Sequence, residues 1–451
     1  MLFEESSFDS FDGAEEKARS AYDLYEKGNI TKALSTLQQA IDINPANSTW
    51  HFNKALALDS LNMFEQAIEA YESALELNPD DTEILNSLAV DYTRAGFYDK
   101  ALSVFEHTEQ VDPMYEPSYC NRIIAYGELG KHDLAEQMFY MAQQINPDCP
   151  LCFYNIGNSF FVRGEYKKAI MCWEKAAELD NEHPQINYHM AQAWWLAGDM
   201  DKTKEYLLQE LRLNPGNLGA LFEYGLFLLS CGQYKQAGEK FGWILELNPS
   251  FAPATFYLGE LALHQKEYES AMKLFSRAIR QESRMSGPYY RMAEDAMRRE
   301  KPSEAKAYLV SEMKLTGQSP EVLVSMASMF ISIDELEYAT NCLMQAIDAD
   351  HENADAYYFI GVINVLKGEF EDSLAFFEQA EKTGGNDFYV LRDTAAVHMR
   401  NGQKVLAADY LEKAKQAANA EQKSSLKALE SALSRTKRRD KLTDIFATKQ
   451  N

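Results

Sequence analysis

Cysteine is scarce in this chain. Six residues in 451, Cys120, Cys149, Cys152, Cys172, Cys231 and Cys342, stand at spacings that form no disulfide framework. Free thiols in a reducing compartment are the expectation. Long apolar runs are missing too: no stretch reaches the roughly 18 apolar residues of a membrane span. The N-terminal MLFEESSFDSFDGAEE has neither the basic start nor the apolar core of a secretory signal. A soluble, cytoplasmic protein without stable membrane insertion is expected. Positive charge is in deficit, with 44 Lys and Arg against 69 Asp and Glu and a net charge of −25. Nucleic acid and anionic membranes repel such a field, so neither is an expected partner. Catalytic motifs are absent as well. The chain has no glycine-rich phosphate loop, GxSxG, HExxH or acidic magnesium motif, so neither an enzyme nor a cofactor is expected. The CxxC at Cys149–Cys152 is the sharpest metal-like feature. A structural zinc site takes four ligands, no second CxxC exists, and Cys152 reads as an ordinary small core residue. No metal is expected.

What the chain does have is a beat. Pro45, Pro79, Pro113 and Pro147 stand 34 residues apart, and after Asn181 the beat resumes at Pro215 and Pro249. A fixed period of this size marks a stacked array, in which each unit buries its apolar face only against its neighbours. Starting units at residue 14 gives twelve of them without insertion, closing at Glu421. A ladder of small residues 12 positions before the proline confirms the register: Ala33, Ala67, Ala101, Ala135, Ala169, Thr203, Ala237, Ala271, Ala305, Ala339, Ser373, Ala407. A second, 12 positions earlier, runs from Ala21 to Ala395 and is Ala or Gly at all places but Ile123. Large residues follow the first ladder by four, among them Leu37, Tyr71, Phe105, Trp173, Phe241, Phe275 and Phe377. Spacings of three and four are helical. Glycine or small polar clusters such as EKGN, RAGF and LAGD mark a turn between two helices, and the proline ends the second. Each unit is therefore two antiparallel helices. Gly238 and Gly242, one turn apart in one second helix, suggest close helix contact or a hinge.

This pattern of large residue, small residue, aromatic, Ala, aromatic, Ala and Pro resembles the tetratricopeptide repeat over residues 14–421, most weakly in units six, nine and twelve. The resemblance implies an all-α, right-handed superhelical solenoid of twelve antiparallel helix pairs. Leu426, Leu429 and Leu433 then make residues 422–436 a capping helix. Residues 1–13 form an acidic, aromatic arm, and residues 437–451 a basic, flexible tail.

In that family the first helix of each unit lines a concave groove. The row two residues before the Ala/Gly ladder stands there, and asparagines in it hold a peptide backbone, because an amide side chain offers both donor and acceptor. Asn53, Asn121 and Asn155 match that place. Asn155 and Asn158 also match asparagines of the family's carboxylate clamp, but its basic place holds Tyr154, so capture of a free carboxylate is not expected. Tyr188, His189, Gln192, Trp195, Phe222 and Tyr257 complete the candidate peptide-binding set. Trp194 and Trp195 are adjacent on a helix, so one packs and the other, Trp195, reaches the groove as a hot-spot candidate. The expected function is a non-enzymatic scaffold for a protein or peptide segment. Two alternatives stay open: a self-assembling structural protein or homo-oligomer joined through its basic end and acidic body, and a regulatory or adaptor subunit of an enzyme or transcription complex.

Overall fold

In the computed structural model of the chain the described residues are 5–180, 186–315, 317–384 and 387–434; for residues 5–12, 432 and 434 the backbone alone is described. The basic tail, the Asn181 place, Gly385 and the start of the N-terminal arm lie outside them. The described residues form 25 α-helices and no strand. They fall into two compact units, Met1–Tyr224 and Gly225–Asn451.

The first unit holds α1 (Glu5–Glu26), α2 (Ile30–Ile43), α3 (Ser48–Asp59), α4 (Phe64–Leu77), α5 (Thr82–Arg94), α6 (Tyr98–Val111), α7 (Glu116–Glu128), α8 (His132–Ile145), α9 (Pro150–Val162), α10 (Tyr166–Leu179), α11 (Ile186–Leu196) and α12 (Met200–Leu213). The division runs through α13 (Leu218–Ser230). The second holds α14 (Tyr234–Leu247), α15 (Ala252–His264), α16 (Tyr268–Gln281), α17 (Pro288–Arg298), α18 (Pro302–Met313), α19 (Pro320–Ser332), α20 (Leu336–Ala349), α21 (Ala354–Lys367), α22 (Phe370–Gly384), α23 (Phe388–Arg400), α24 (Lys404–Ala417) and α25 (Gln422–Ser434). Within each unit, helices pair as hairpins, α1 with α2 through α11 with α12, and α15 with α16 through α23 with α24. The second helices α2 to α10, and those from α14 to α24, also pack on the helix that follows them.

The ladders read from the sequence are the contacts that hold the hairpins. The small ladder from Ala33 to Ala407 is buried throughout, Thr203 and Ser373 included. The Ala/Gly ladder opposes the large one. At Gly157, Gly225, Gly259 and Gly361 a Cβ would come within 2.5 Å of the ring of Trp173, Phe241, Phe275 and Phe377 respectively. Gly238 and Gly242 are different. A Cβ at Gly238 would meet Leu261 at an ordinary 3.4 Å, and one at Gly242 would meet open space. Close helix contact is therefore not what places glycine there.

The turn inside each hairpin recurs with the same backbone. Gly28, Gly96, Gly130, Gly164, Gly198, Gly232, Gly368 and Gly402 all have positive φ, and so do Asn62, Lys266, Glu300 and Asp334 at the same place in the remaining hairpins. A left-handed residue is what ends the first helix and starts the return. Where the repeat looks weakest, a buried carboxylate takes over. Glu210 stands in a small-residue place and accepts from the side-chain amides of Asn214 and Asn217 at 3.0 and 2.8 Å. Glu312, at the equivalent place in the second unit, accepts from Ser286 Oγ and the backbone N–H groups of Gly287 and Tyr290 at 2.7, 2.7 and 3.1 Å. Each is buried and satisfied, so neither carries the cost of an unpaired buried charge. At the C-terminal end α25 lies on α23 and α24 with Leu426 and Leu429 buried.

Candidate functional site

First helices carry the candidate residues, and three of them, α9, α11 and the start of α13, bring most of these together in the first unit. The 34-residue row places Asn155, His189 and Glu223 at equivalent points on successive first helices. Tyr154, Tyr188 and Gln192 flank them. The His189 ring lies 5.8 Å from that of Tyr154, 5.7 Å from Tyr188 and 5.6 Å from Trp173, the last at an interplanar angle of 30°. Trp173 is itself fixed: its indole N–H is shared between the Tyr154 carbonyl and Asn158 Oδ1, both at 3.2 Å. The result is an aromatic shelf of half-buried rings on a buried indole.

The shelf ends in a carboxylate. Glu223 Oε1 accepts from the Tyr188 hydroxyl at 2.9 Å and from Gln192 Nε2 at 2.5 Å. Burial pushes its carboxyl above the usual range, while the bonds from Gln192 and Tyr188 pull the other way. Burial also raises the Tyr188 hydroxyl, helped by the Glu223 charge. Gly219 leaves the Tyr188 hydroxyl its place, since a Cβ there would sit 3.2 Å from it. Among the described residues no Lys or Arg pairs with Glu223. Two neutral donors therefore orient a partly desolvated anion at the end of a row of rings.

Other candidates stand elsewhere. Asn155 is buried, and its amide donates to the Cys120 carbonyl at 3.1 Å, with Cys120 Sγ at 3.7 Å, so it faces the neighbouring helix rather than a groove. Asn121 donates to Asn86 at 3.2 Å, one repeat back. Asn53 lines a small apolar pocket with Tyr22, Tyr25, Leu37 and Leu56, at the other end of the first unit. Trp194 packs on the core with Lys202 3.7 Å above its ring, while its neighbour Trp195 is half-buried, as is Phe222. Tyr257 belongs to the second unit, where it stacks on Phe241 at 5.5 Å.

Glu223 and Trp173 were not among the sequence candidates. Glu223 stands in the same row as Asn155 and His189, and that register was the available signal. Trp173 read as core, which it is; its second role depends on His189 lying over it. No described helix is long and apolar enough to cross a membrane.

Models of the tetratricopeptide repeat match residues 48–81, 228–285 and 339–388, and a model described as TPR repeat matches 157–198. A TPR repeat-containing protein of Methanocaldococcus jannaschii, MJ1428, is 24% identical over 197 residues, which is 40% of this chain and 35% of that protein. The chain thus spans about a third of this curated relative. Among solved structures, yeast Tom70 is 16% identical with a TM-score of 0.49, covering 88% of this chain and 99% of its own. YrrB, described as a TPR protein with an unusual peptide-binding site, is 21% identical with a TM-score of 0.34, covering 40% and 92%. Likenesses this loose carry no function across.

Proposed function

The chain belongs to the tetratricopeptide repeat family, and from that premise we propose that it is a non-enzymatic scaffold that holds an extended protein segment on the first helices of its first unit. Tyr154, Tyr188, His189 and Trp195 supply rings for apolar contact. Gln192 and Glu223 supply the polar end. The single observation that carries this reading is the convergence of Tyr188 and Gln192 on Glu223 beside those rings. A pre-organised site loses less conformational freedom on binding, and a carboxylate oriented by neutral donors is poised for a cation. The segment bound there is accordingly basic, with a Lys or Arg side chain at Glu223, which suits a chain of net charge −25.

Selection of displayed random peptides on the full chain tests this. Enriched peptides are expected to carry Lys or Arg next to an apolar residue. Their affinity is expected to fall about 10- to 100-fold in Glu223→Gln, the worth of one charge-assisted hydrogen bond, and to fall in Trp195→Ala, with helicity unchanged in both. Peptides without basic residues, or bound equally by Glu223→Gln, would overturn the placement. So would a selection that enriches nothing.

A further inference from the structure

The cysteines that looked inert in the sequence meet in space. Glu116 opens α7, and Cys120 follows one turn later on the same face. Cys149 is the N-cap of α9, and Cys152 lies in its first turn. Two hairpins, neighbours in the array, thus contribute two groups each. One ligand atom from each of the four lies within 4.8 Å of all the others. The expectation of no metal rested on finding no second CxxC; the other two groups come from Glu116 and Cys120 instead.

The surroundings suit an ion rather than four idle side chains. Cys120 and Cys152 are 1% and 0% exposed and Cys149 is 8%. They are enclosed by Tyr119, Ala142, Met138, Phe139 and Ile145. The Cys152 thiol reaches Glu116 Oε1 at 2.9 Å, so a carboxylate is drawn into an apolar pocket. Two N–H groups point at sulfur: the backbone N–H of Cys152 at Cys149 Sγ, 3.4 Å, and the Asn155 amide at Cys120 Sγ, 3.7 Å. Donors placed on sulfur in this way are the outer shell that metal thiolates carry. The N-cap position is telling. At the same place in other repeats Asn47, Asp81, Asn353 and Asp387 accept from first-turn N–H groups. A neutral thiol is a weak acceptor there, whereas a thiolate at a helix N-terminus is stabilised by the dipole.

We propose that Glu116, Cys120, Cys149 and Cys152 bind one Zn²⁺ ion that ties the two hairpins together. Three sulfurs and one carboxylate oxygen are a donor set zinc accepts, and four protein ligands make a closed, structural site. Tetrahedral bonds of about 2.0–2.3 Å place ligand atoms about 3.3–3.8 Å apart, so the cluster closes on an ion by small side-chain adjustments. Calcium and magnesium, which take oxygen ligands, do not suit it.

The full chain, purified and kept under reductant, is expected to hold one equivalent of zinc by elemental analysis. Replacing the ion with Co²⁺ is expected to give sulfur-to-cobalt charge-transfer bands and the visible bands of a tetrahedral centre. Cys149→Asn keeps a helix cap, as Asn47 and Asn353 do, but removes a ligand. It is expected to retain the wild-type helicity, lose the zinc and lose the charge-transfer bands. Glu116→Gln, at a half-buried position, is expected to weaken zinc binding while leaving the sulfur bands in place at saturating Co²⁺. A strong chelator should lower the melting temperature of the wild type and leave that of Cys149→Asn unmoved, since a ligand that binds only the folded state stabilises it. Wild-type protein that takes up neither zinc nor cobalt with its thiols free, or Cys149→Asn that keeps a full equivalent, would overturn the site.

Discussion

An alanine at Gly157 would place its Cβ 2.5 Å from Trp173 Nε1 and 2.6 Å from Cδ1. The indole cannot retreat, because it is 1% exposed and its N–H is held by Tyr154 and Asn158. Glycine in a helix ordinarily costs about 1 kcal/mol against alanine, but here overpacking reverses the sign. Gly157→Ala is expected to destabilise by about 1–3 kcal/mol, read as a lower denaturation midpoint. Gly242→Ala faces open space and is expected to stabilise by up to about 1 kcal/mol. A carboxylate gives the second prediction at this scale. Asp91 is 1% exposed, and its Oδ2 has no partner. Burial, with the Asp59 charge adding, raises its pKa from the usual 3.8 to about 7. The folded state then holds a proton that the unfolded state has released, so this group's contribution to stability is full below the unfolded value and is lost as pH rises through about 7. Asp91→Asn cannot ionise. Urea midpoints of the two proteins are expected to diverge in the variant's favour as pH rises from about 4 to about 7, to keep a constant gap above about 7, and to converge below about 4.

Hairpin turns were legible because one backbone need recurs at one place. The glycines of EKGN, RAGF and LAGD are left-handed as the turn requires. At the same place Lys266 and Glu300 have φ of 63° and 56°, so the geometry is imposed by the array even where the residue opposes it. An L-residue there costs roughly 1–2 kcal/mol that glycine avoids. Glu300→Gly is therefore expected to raise the melting temperature, and Gly130→Ala, at φ 67° with nothing within 4 Å, to lower it. The ladders were legible for the same reason: a 34-residue period repeats each contact, so a single odd member such as Thr203 stands out against the rest. What breaks the period was not legible. Glu210 and Glu312 read as weak repeats, yet each is a buried acceptor for the start of the next hairpin. The row of first-helix residues was found, but which of its members touch was not, since Asn155 turns to Cys120 while His189 lies over Trp173. The four groups from Glu116 to Cys152 come from two repeats, and of them only Cys149 and Cys152 stand at a known ligand spacing; Glu116 and Cys120 do not. Only the stacking of α7 against α9 unites them.

Charge acts on the whole chain at once. Acidic residues outnumber basic ones by 69 to 44, and many of the ion pairs are exposed helix pairs, such as Lys273 with Glu269 and Lys382 with Glu378. Exposed pairs of this kind are worth little individually, about 0–1 kcal/mol. The net repulsion is not local. Packed helices lie about 8–10 Å apart, comparable with the Debye length of about 8 Å at physiological salt and far inside the roughly 30 Å at 0.01 M. In dilute buffer each hairpin therefore feels the excess charge of its neighbours. Screening it favours the folded chain, because unfolding lets the like charges separate. Raising NaCl is expected to raise the melting temperature. The same salt is expected to weaken the basic-peptide complex, whose encounter the acidic surface favours. The two slopes have opposite sign, so thermal melts and peptide titrations over one salt series check both. A melting temperature that falls with NaCl would mean that attractive pairs outweigh the excess. A peptide affinity indifferent to salt would remove the charge at Glu223 from recognition while leaving the repeat architecture untouched.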